Sequence, residues 1–292
     1  MPQISVIVPI YRDWERLNGL AEGIMAQCFL NFELILVDNA PHDDPVDPAR
    51  DAVLERLQAS VPAQLILCTQ PGSYAARNAG AQAAQGQALV FTDADCVPAE
   101  GWLQALAHAL DAKPNALLAG PVTLCPSPTP NSYEVFDTVR GMPQESFIRH
   151  GYAVTANLAL QKALFDRLGG FDPARFSGGD AEFCRRAGRQ GIGLILVRDA
   201  VIYHPARDSW DAIATKARRI KGGQVASGPK ARRMIWTLRS FSPPIREIVT
   251  YLASSHPFKW RIRACWVRLR LWGVELHELV RLLVFRSARE RR

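Results

Sequence analysis

A chain of 292 residues, 48% hydrophobic and 22% charged, has the length for one large α/β domain plus an appendage and the apolar content to bury a full core. No apolar run reaches the roughly 20 residues that a membrane-spanning helix needs, and no basic start with an apolar core marks a signal peptide, so the expected location is the cytoplasm. The net charge of +7 is uneven: residues 1–215 carry 16 basic and 24 acidic residues, and residues 216–292 carry 19 and 4, which sets an acidic body before a strongly basic tail. Such asymmetry points to a polyanionic partner, a membrane surface or nucleic acid. The six cysteines form no C-x-x-C pair, which excludes the common zinc ribbons and a disulfide framework.

In chain order, Ile4–Ile10 alternates and then runs apolar, as a first buried strand does, with Pro9 near its end where a missing N–H costs least. Apolar residues at helical spacing follow from about Trp14 to Cys28. Phe32–Val37 is a second strand, ending in Asp38-Asn39, and the Pro- and Asp-rich run from Pro41 to Pro48 is a loop. Ala52–Leu57 reads as helix and Gln64–Cys68 as a third strand. The small residues after Gly72 (GSYAARNAGAQAAQG) predict a helix able to pack closely on a sheet.

Leu89–Phe91 is the fourth strand, and it delivers Asp93 and Asp95 where it leaves the sheet. Open α/β sheets bind ligands at that end, and a pair of hard oxygens there can hold a divalent cation that in turn holds a diphosphate. An acidic turn after a strand is the plain alternative. Cys96 follows directly and reads as a packing residue, as most free thiols are. The alternation of strands and helices predicts a parallel, doubly wound sheet. No G-x-G-x-x-G follows the first strand, so a dinucleotide site is not supported.

Beyond the acidic pair, Trp102–Leu110 reads as helix, Ala116–Leu124 as strand and Cys125–Asn131 as a Pro-rich loop. Val154–Leu160 is a strand, Lys162–Leu168 a helix closed by Gly169-Gly170, and Ala181–Gln190 a helix after the FSGGD turn. Leu194–Val197 and Val201–Tyr203 are strands, the second ending at His204. In the tail, Ile262, Trp266, Leu269, Leu276, Val280 and Leu283 recur at helical spacing among arginines. A helix of this kind lies in an anionic membrane surface, or it packs the same stripe onto the protein. The stretch holds no recognisable nucleic-acid module.

The segments SVIVPIYRDWERL, ELILVDNAP, GSYAARNAGAQAAQGQALVFTDADC, GGFDPARFSGGDAEFCRRA and VIYHP, in this order over roughly residues 3 to 210, resemble the family 2 glycosyltransferases. The resemblance implies a GT-A-like fold: a Rossmann-like, mostly parallel sheet with helices on both faces, here as a domain over 1–215 followed by a basic helical extension over 216–292. It implies transfer of a sugar from a nucleotide-sugar donor with inversion, using Mg²⁺ or Mn²⁺. By the same resemblance Pro9, Tyr11 and Asp38 cradle the nucleotide base, usually uracil, and Arg77 sits near base and phosphates. Asp93 contacts the ribose, Asp95 the metal, and His204 the metal or diphosphate. Asp180 matches the catalytic base; Gly179 stands where the family carries an acid, which leaves Glu182 as the competing candidate. Thr155 and Asn157 fall on the acceptor-facing strand, and Arg218, Arg219 or Lys221 fall where some members place a basic loop over the diphosphate.

The resulting expectation is a metal-dependent transferase that moves one sugar from a UDP-linked donor to a hydroxyl of a glycan or lipid-linked acceptor, in polysaccharide biosynthesis. The basic extension places it peripherally on the cytoplasmic face of a membrane. The processive Q-x-x-R-W motif is absent. Two alternatives stand beside it. One is a non-catalytic, membrane-associated nucleotide-sugar-binding protein, resting on Gly179. The other is a sugar nucleotidyltransferase, against which PIYRDWERL after the first strand argues.

Overall fold

Seven strands form the main sheet, in the order β3-β2-β1-β4-β8-β6-β9, in a computed structural model that describes residues 2–12, 14–41, 44–226 and 228–285. Asp13 of the first motif and the basic end of the tail, 286–292, lie outside the described residues. The strands are β1 (Ile4–Ile10), β2 (Phe32–Asp38), β3 (Ala63–Leu67), β4 (Ala88–Thr92), β6 (Ala116–Ala119), β8 (Asn157–Gln161) and β9 (Gly193–Leu196). The first helices are α1 (Leu17–Met25), α2 (Ala49–Gln58), α3 (Ser73–Ala83) and α4 (Trp102–Ala112).

β1, β2, β3 and β4 pair in parallel, which matches the alternation read from sequence. β8 then pairs antiparallel with both β4 and β6, so the sheet is mostly rather than wholly parallel. The strands are apolar on both faces because both faces are covered. Their alternation sorts side chains into two cores. Val6, Val8, Leu34, Leu36 and Val90 pack on one side, and Ile7, Ile35, Val37, Leu89 and Phe91 on the other. The small-residue face of α3 serves the second core: a Cβ on Gly80 would meet Ile7 Cγ2 at 2.5 Å, so only glycine permits this approach. β4 pairs with β1 only over Ile4–Ile7, so Pro9 sits where that flank of β1 is already unpaired.

The stretch Ala116–Leu124 is two strands, not one. Gly120-Pro121 divides β6 from β7 (Val122–Cys125), which belongs to a separate three-stranded sheet with β5 (Val97–Pro98) and β10 (Ile202–Pro205). Between the Pro-rich loop Cys125–Asn131 and β8 lie two helices that the sequence reading did not assign, α5 (Ser132–Arg140) and α6 (Gln144–Arg149). Further along lie α7 (Lys162–Arg167), α8 (Gly179–Arg189), α9 (Trp210–Ala226), α10 (Lys230–Ser240), α11 (Ile245–Leu252) and α12 (Phe258–Leu283).

The chain divides into two compact units. The first comprises Met1–Thr123, Met142–Ala174 and Gly179–His204 and contains the main sheet. The second comprises Leu124–Gly141, Arg175–Gly178 and Pro205–Arg292. Its core is built where Val135, Phe136 and Val139 of α5 meet Ile213 and Ala217 of α9, Tyr251 of α11 and Ala264, Val267 and Leu271 of α12. Residues 216–226 are therefore helix, not a basic loop, and Lys221 is buried, bonded to Ser240 Oγ at 3.0 Å and paired with Glu275.

The stripe read from the tail does not pack into this core. α12 buries Ala264, Val267, Leu271 and Leu279, and it leaves Ile262, Trp266, Leu269, Val280 and Leu283 exposed. Exposed apolar side chains continue on α10 at Met234, Ile235 and Leu238 and on α11 at Ile245 and Val249. Among the described residues no helix is long and apolar enough to cross a membrane.

Candidate active site

The C-terminal ends of β1, β2 and β4 lie side by side, which brings Tyr11, Asp38 and the Asp93–Asp95 turn to one edge of the sheet. Asp38 ends β2, and its Oδ1 accepts from Ala40 N–H at 3.0 Å. Asn39 beside it is buried: its amide donates to Cys68 O and Gln70 O, both at 2.8 Å, and accepts from Gly72 N–H at 2.8 Å. That staple fixes the start of α3, where Gly72 takes φ 116°, a conformation suited to glycine. Asp38 and Arg12 also line a cavity of about 720 Å³ with Leu67 and Thr69, in the size range of small-ligand pockets. Asp93 and Asp95 are not among its walls. Tyr11 is 39% exposed with Arg12 over its ring, and Pro9 is half-buried within β1.

Arg77 is not the surface arginine that a helix usually carries. It is 3% exposed, and it donates to Asp93 Oδ1 and to Ser73 O. Its guanidinium stands 5.7 Å from the Tyr74 ring centroid. A buried cation held against one carboxylate fixes Asp93 in place and leaves the site's charge organised before any ligand arrives.

Asp95 points elsewhere. Its Oδ1 lies 3.5 Å from Nε2 of His204, which is 3% exposed. The pairing of β10 with β5 explains the meeting: Ile202 opposes Pro98 and Tyr203 opposes Val97, so one further step along the register sets His204 opposite Cys96. Ligand atoms of Asp95, Cys96 and His204 all lie within 4.8 Å of one another, the one such group of three among the described residues. Oxygen and imidazole donors at that spacing suit a divalent first-row cation. Burial, then Asp93 and Asp95, hold the Cys96 thiol well above its usual range.

Asp180 opens α8, half-buried, its Oδ1 accepting from Ala181 N–H at 2.8 Å. Burial raises its carboxyl pKa from the usual value; Ala181 N–H, Arg77 and the Tyr74 hydroxyl pull the other way, and Asp93 adds to the rise. Tyr74, which the sequence did not single out, therefore touches both sides of the site. It also accounts for Gly179: a Cβ there would meet the Tyr74 ring at 2.6 to 2.8 Å, so no acid fits that position. Glu182 is differently occupied. Both its oxygens accept from Arg186 at 2.9 Å, and that arginine also donates to Leu168 O and Gly170 O. Asn157 is buried, with its amide bonded to Pro121 O, Ala200 O and Trp102 Nε1–H, a structural hub rather than a pocket wall.

Residues 5–176 match the model of glycosyl transferase family 2, more than half of the chain, and the protein belongs to that family. It is an enzyme of the glycosyltransferase class, with a GT-A fold. Among its relatives, Glycosyltransferase AglE of Haloferax volcanii is 29% identical over 230 residues, covering 77% of this chain and 74% of that protein. Undecaprenyl-phosphate 4-deoxy-4-formamido-L-arabinose transferase of Aeromonas hydrophila is 28% identical over 163 residues, 55% of this chain and 44% of that one. Two solved structures share the fold at 16% identity. The mannosyltransferase PcManGT of Pyrobaculum calidifontis, in complex with GDP-Man and Mn²⁺, has a TM-score of 0.61 over 98% of this chain and 88% of its own. S. aureus TarS 1–349 with UDP-GlcNAc has a TM-score of 0.58 over 98% and 75%. Family membership sets aside the sugar nucleotidyltransferase alternative, and the Tyr74 ring against Gly179 removes the observation on which the non-catalytic one rested.

Proposed function

We propose that this glycosyltransferase moves one sugar, with inversion, from a UDP-linked donor to a hydroxyl of a glycan or lipid-linked acceptor, and that it does so with Mg²⁺ or Mn²⁺. The observation that carries the reading is the grouping of Asp180 with the Arg77–Asp93 pair and Tyr74 at the sheet edge that also holds Asp95. A bound cation would act as a Lewis acid, offsetting the charge that develops on the departing nucleoside diphosphate.

The chain's own residues have distinct parts in this reading. Asp95 and His204 hold the cation. Arg77 fixes Asp93 toward the ribose, and Asp38, Tyr11 and Pro9 form the base end. Asp180 takes the acceptor hydroxyl's proton, and a partly desolvated carboxylate is a stronger base for that step than one in water. Glu182, with both oxygens on Arg186, is left a positioning role for α8.

The acceptor side rests on the second unit. Its unpartnered apolar helix faces on α10, α11 and α12 are interleaved with exposed Arg233, Arg239, Arg246, Lys259, Arg263 and Arg270. That combination fits the headgroup region of an anionic membrane, where a lipid-linked acceptor would be found. The test is a panel of UDP- and GDP-sugars with Mn²⁺, Mg²⁺ or EDTA, scoring free nucleoside diphosphate with and without a lipid extract. Metal-dependent release from a UDP-sugar, lost in Asp95→Ala and Asp180→Asn, is expected. Release that survives EDTA and Asp95→Ala would overturn the metal, and turnover of a GDP-sugar instead would overturn the UDP assignment.

A further inference from the structure

We infer that Cys96 is a third ligand of the cation site, so that the site is built from carboxylate, imidazole and thiolate and prefers thiophilic first-row cations over Mg²⁺. The inference rests on the reading that Asp95 and His204 hold the cation, and it adds a residue to which no role in the reaction has been given.

Three features carry it. The first is position: the thiol, an Asp95 oxygen and a His204 nitrogen are mutually within 4.8 Å. Donor atoms that close need only small side-chain shifts to share one ion at bond lengths of about 2.0 to 2.3 Å. The second is the backbone that creates this closeness. The turn closed by Cys96 N–H on Asp93 O at 3.1 Å sends the chain directly into β5, and the antiparallel register of β5 with β10 sets His204 opposite Cys96. The thiol is thereby fixed by the same two elements that fix the other ligands, and it does not depend on a free loop. The third is access. Cys96 and His204 are closed off by protein, whereas the Asp95 side chain is 19% exposed. Nitrogen and sulfur would face the ion from the protein side and leave its solvent side open. Catalytic metal sites have this form, three protein ligands and a vacant position for substrate.

The consequence is a choice among metals. Mg²⁺ demands oxygen ligands and sheds water reluctantly, and a thiolate is a poor ligand for it. Mn²⁺ accepts mixed donors, and Co²⁺, Zn²⁺ and Cd²⁺ favour sulfur increasingly. When the metal enters, the S–H bond is replaced by a metal–sulfur bond and the proton leaves to solvent.

The experiment uses the full chain with the exposed Cys28 and Cys125 changed to serine, so that these thiols contribute nothing. Co²⁺ is titrated in while the near-ultraviolet thiolate-to-cobalt absorption is recorded, and Cd²⁺ and Mn²⁺ affinities are measured by calorimetry. The parent protein is expected to show the band, and Cys96→Ser, Cys96→Ala and Asp95→Asn to lose it. Cys96→Ser is expected to lower the Cd²⁺-to-Mn²⁺ affinity ratio by more than about tenfold, the range that even an outer partner of a ligand commands. A parent protein that binds Co²⁺ without a thiolate band, while Asp95→Asn abolishes binding, overturns the role of Cys96 and leaves the cation site standing. Co²⁺ binding unchanged by Asp95→Asn overturns the cation site and the thiol together.

Discussion

At the scale of single residues, Asp180 and its neighbours decide whether the site can take a proton. A carboxylate raised by burial binds protons more tightly in the folded chain than in the unfolded one. Its cost to stability is therefore absent below the ordinary aspartate range and grows as pH rises through the folded value. Asp180→Asn removes that cost. The variant is expected to melt no lower than the parent near neutral pH, with the difference closing on acidification, while turnover falls by about 100-fold to 10,000-fold. Thermal melts between pH 4 and 8 beside donor turnover check both halves; a variant that loses activity by unfolding refutes the assignment. Tyr74→Phe removes a hydrogen bond that favours the charged form, so the acid limb of the pH–rate profile is expected to move to higher pH. Asp93 and Asp95 drew notice in the sequence by their place after a buried strand, and Asp180 by the family resemblance. The burial of Arg77 and the reason for Gly179 were not legible there, since both depend on where the Tyr74 ring sits, and that is a fact of packing between α3 and α8.

At the scale of elements, periodicity found every strand of the main sheet, and it failed where one apolar run crosses a corner. Ala116–Leu124 is continuous in hydrophobicity, but Pro121 lacks an N–H and Gly120 has the Asn157 amide against it, so the chain turns between two sheets there. The helix α5 was missed although its signal is present. Asn131 and Glu134 form a capping box: Asn131 Oδ1 accepts from Tyr133 and Glu134 N–H, and Glu134 returns a bond to Asn131 N–H. The run of prolines before it masked the start. Asn131→Ala is expected to cost about 1 kcal/mol, read from urea unfolding. Glu134 adds a pH dependence of the opposite sign to that of Asp180. Its bonds to Asn131 and Ser127 N–H hold its carboxyl below the usual range, so the stability they contribute is present above ordinary glutamate values and lost as pH falls through the folded value. The destabilisation caused by Glu134→Gln is expected to shrink on acidification below about pH 4.

At the scale of the molecule, the charge asymmetry and the exposed apolar residues belong to one argument. A basic segment alone is a solvated face, and an apolar stripe alone is core in most helices. The tail has both, and the structure allots them separately: small and branched residues of α12 fill the core of the second unit, while Trp266 at 55% and Leu238 of α10 at 63% exposure remain outside it. A lone exposed Leu is ordinary, but large apolar side chains recurring on three consecutive helices are not. Each arginine beside an anionic membrane adds roughly 1 kcal/mol of attraction, and that attraction falls with salt, whereas the apolar insertion does not. The two contributions can therefore be separated by experiment. Co-sedimentation with vesicles containing anionic lipid is expected to exceed that with neutral phosphatidylcholine, and to fall as NaCl is raised. Leu238→Glu with Trp266→Glu should weaken the binding that persists at high salt, and leave a salt-sensitive part at low salt, without lowering the melting temperature, because neither side chain supports the core. Charge reversal at Arg239 and Arg263 should weaken binding at low salt and leave the residual binding at high salt unchanged. Equal binding to neutral and anionic vesicles would reduce the basic surplus to a solubility device, and no binding to either would remove the membrane from the account of the acceptor.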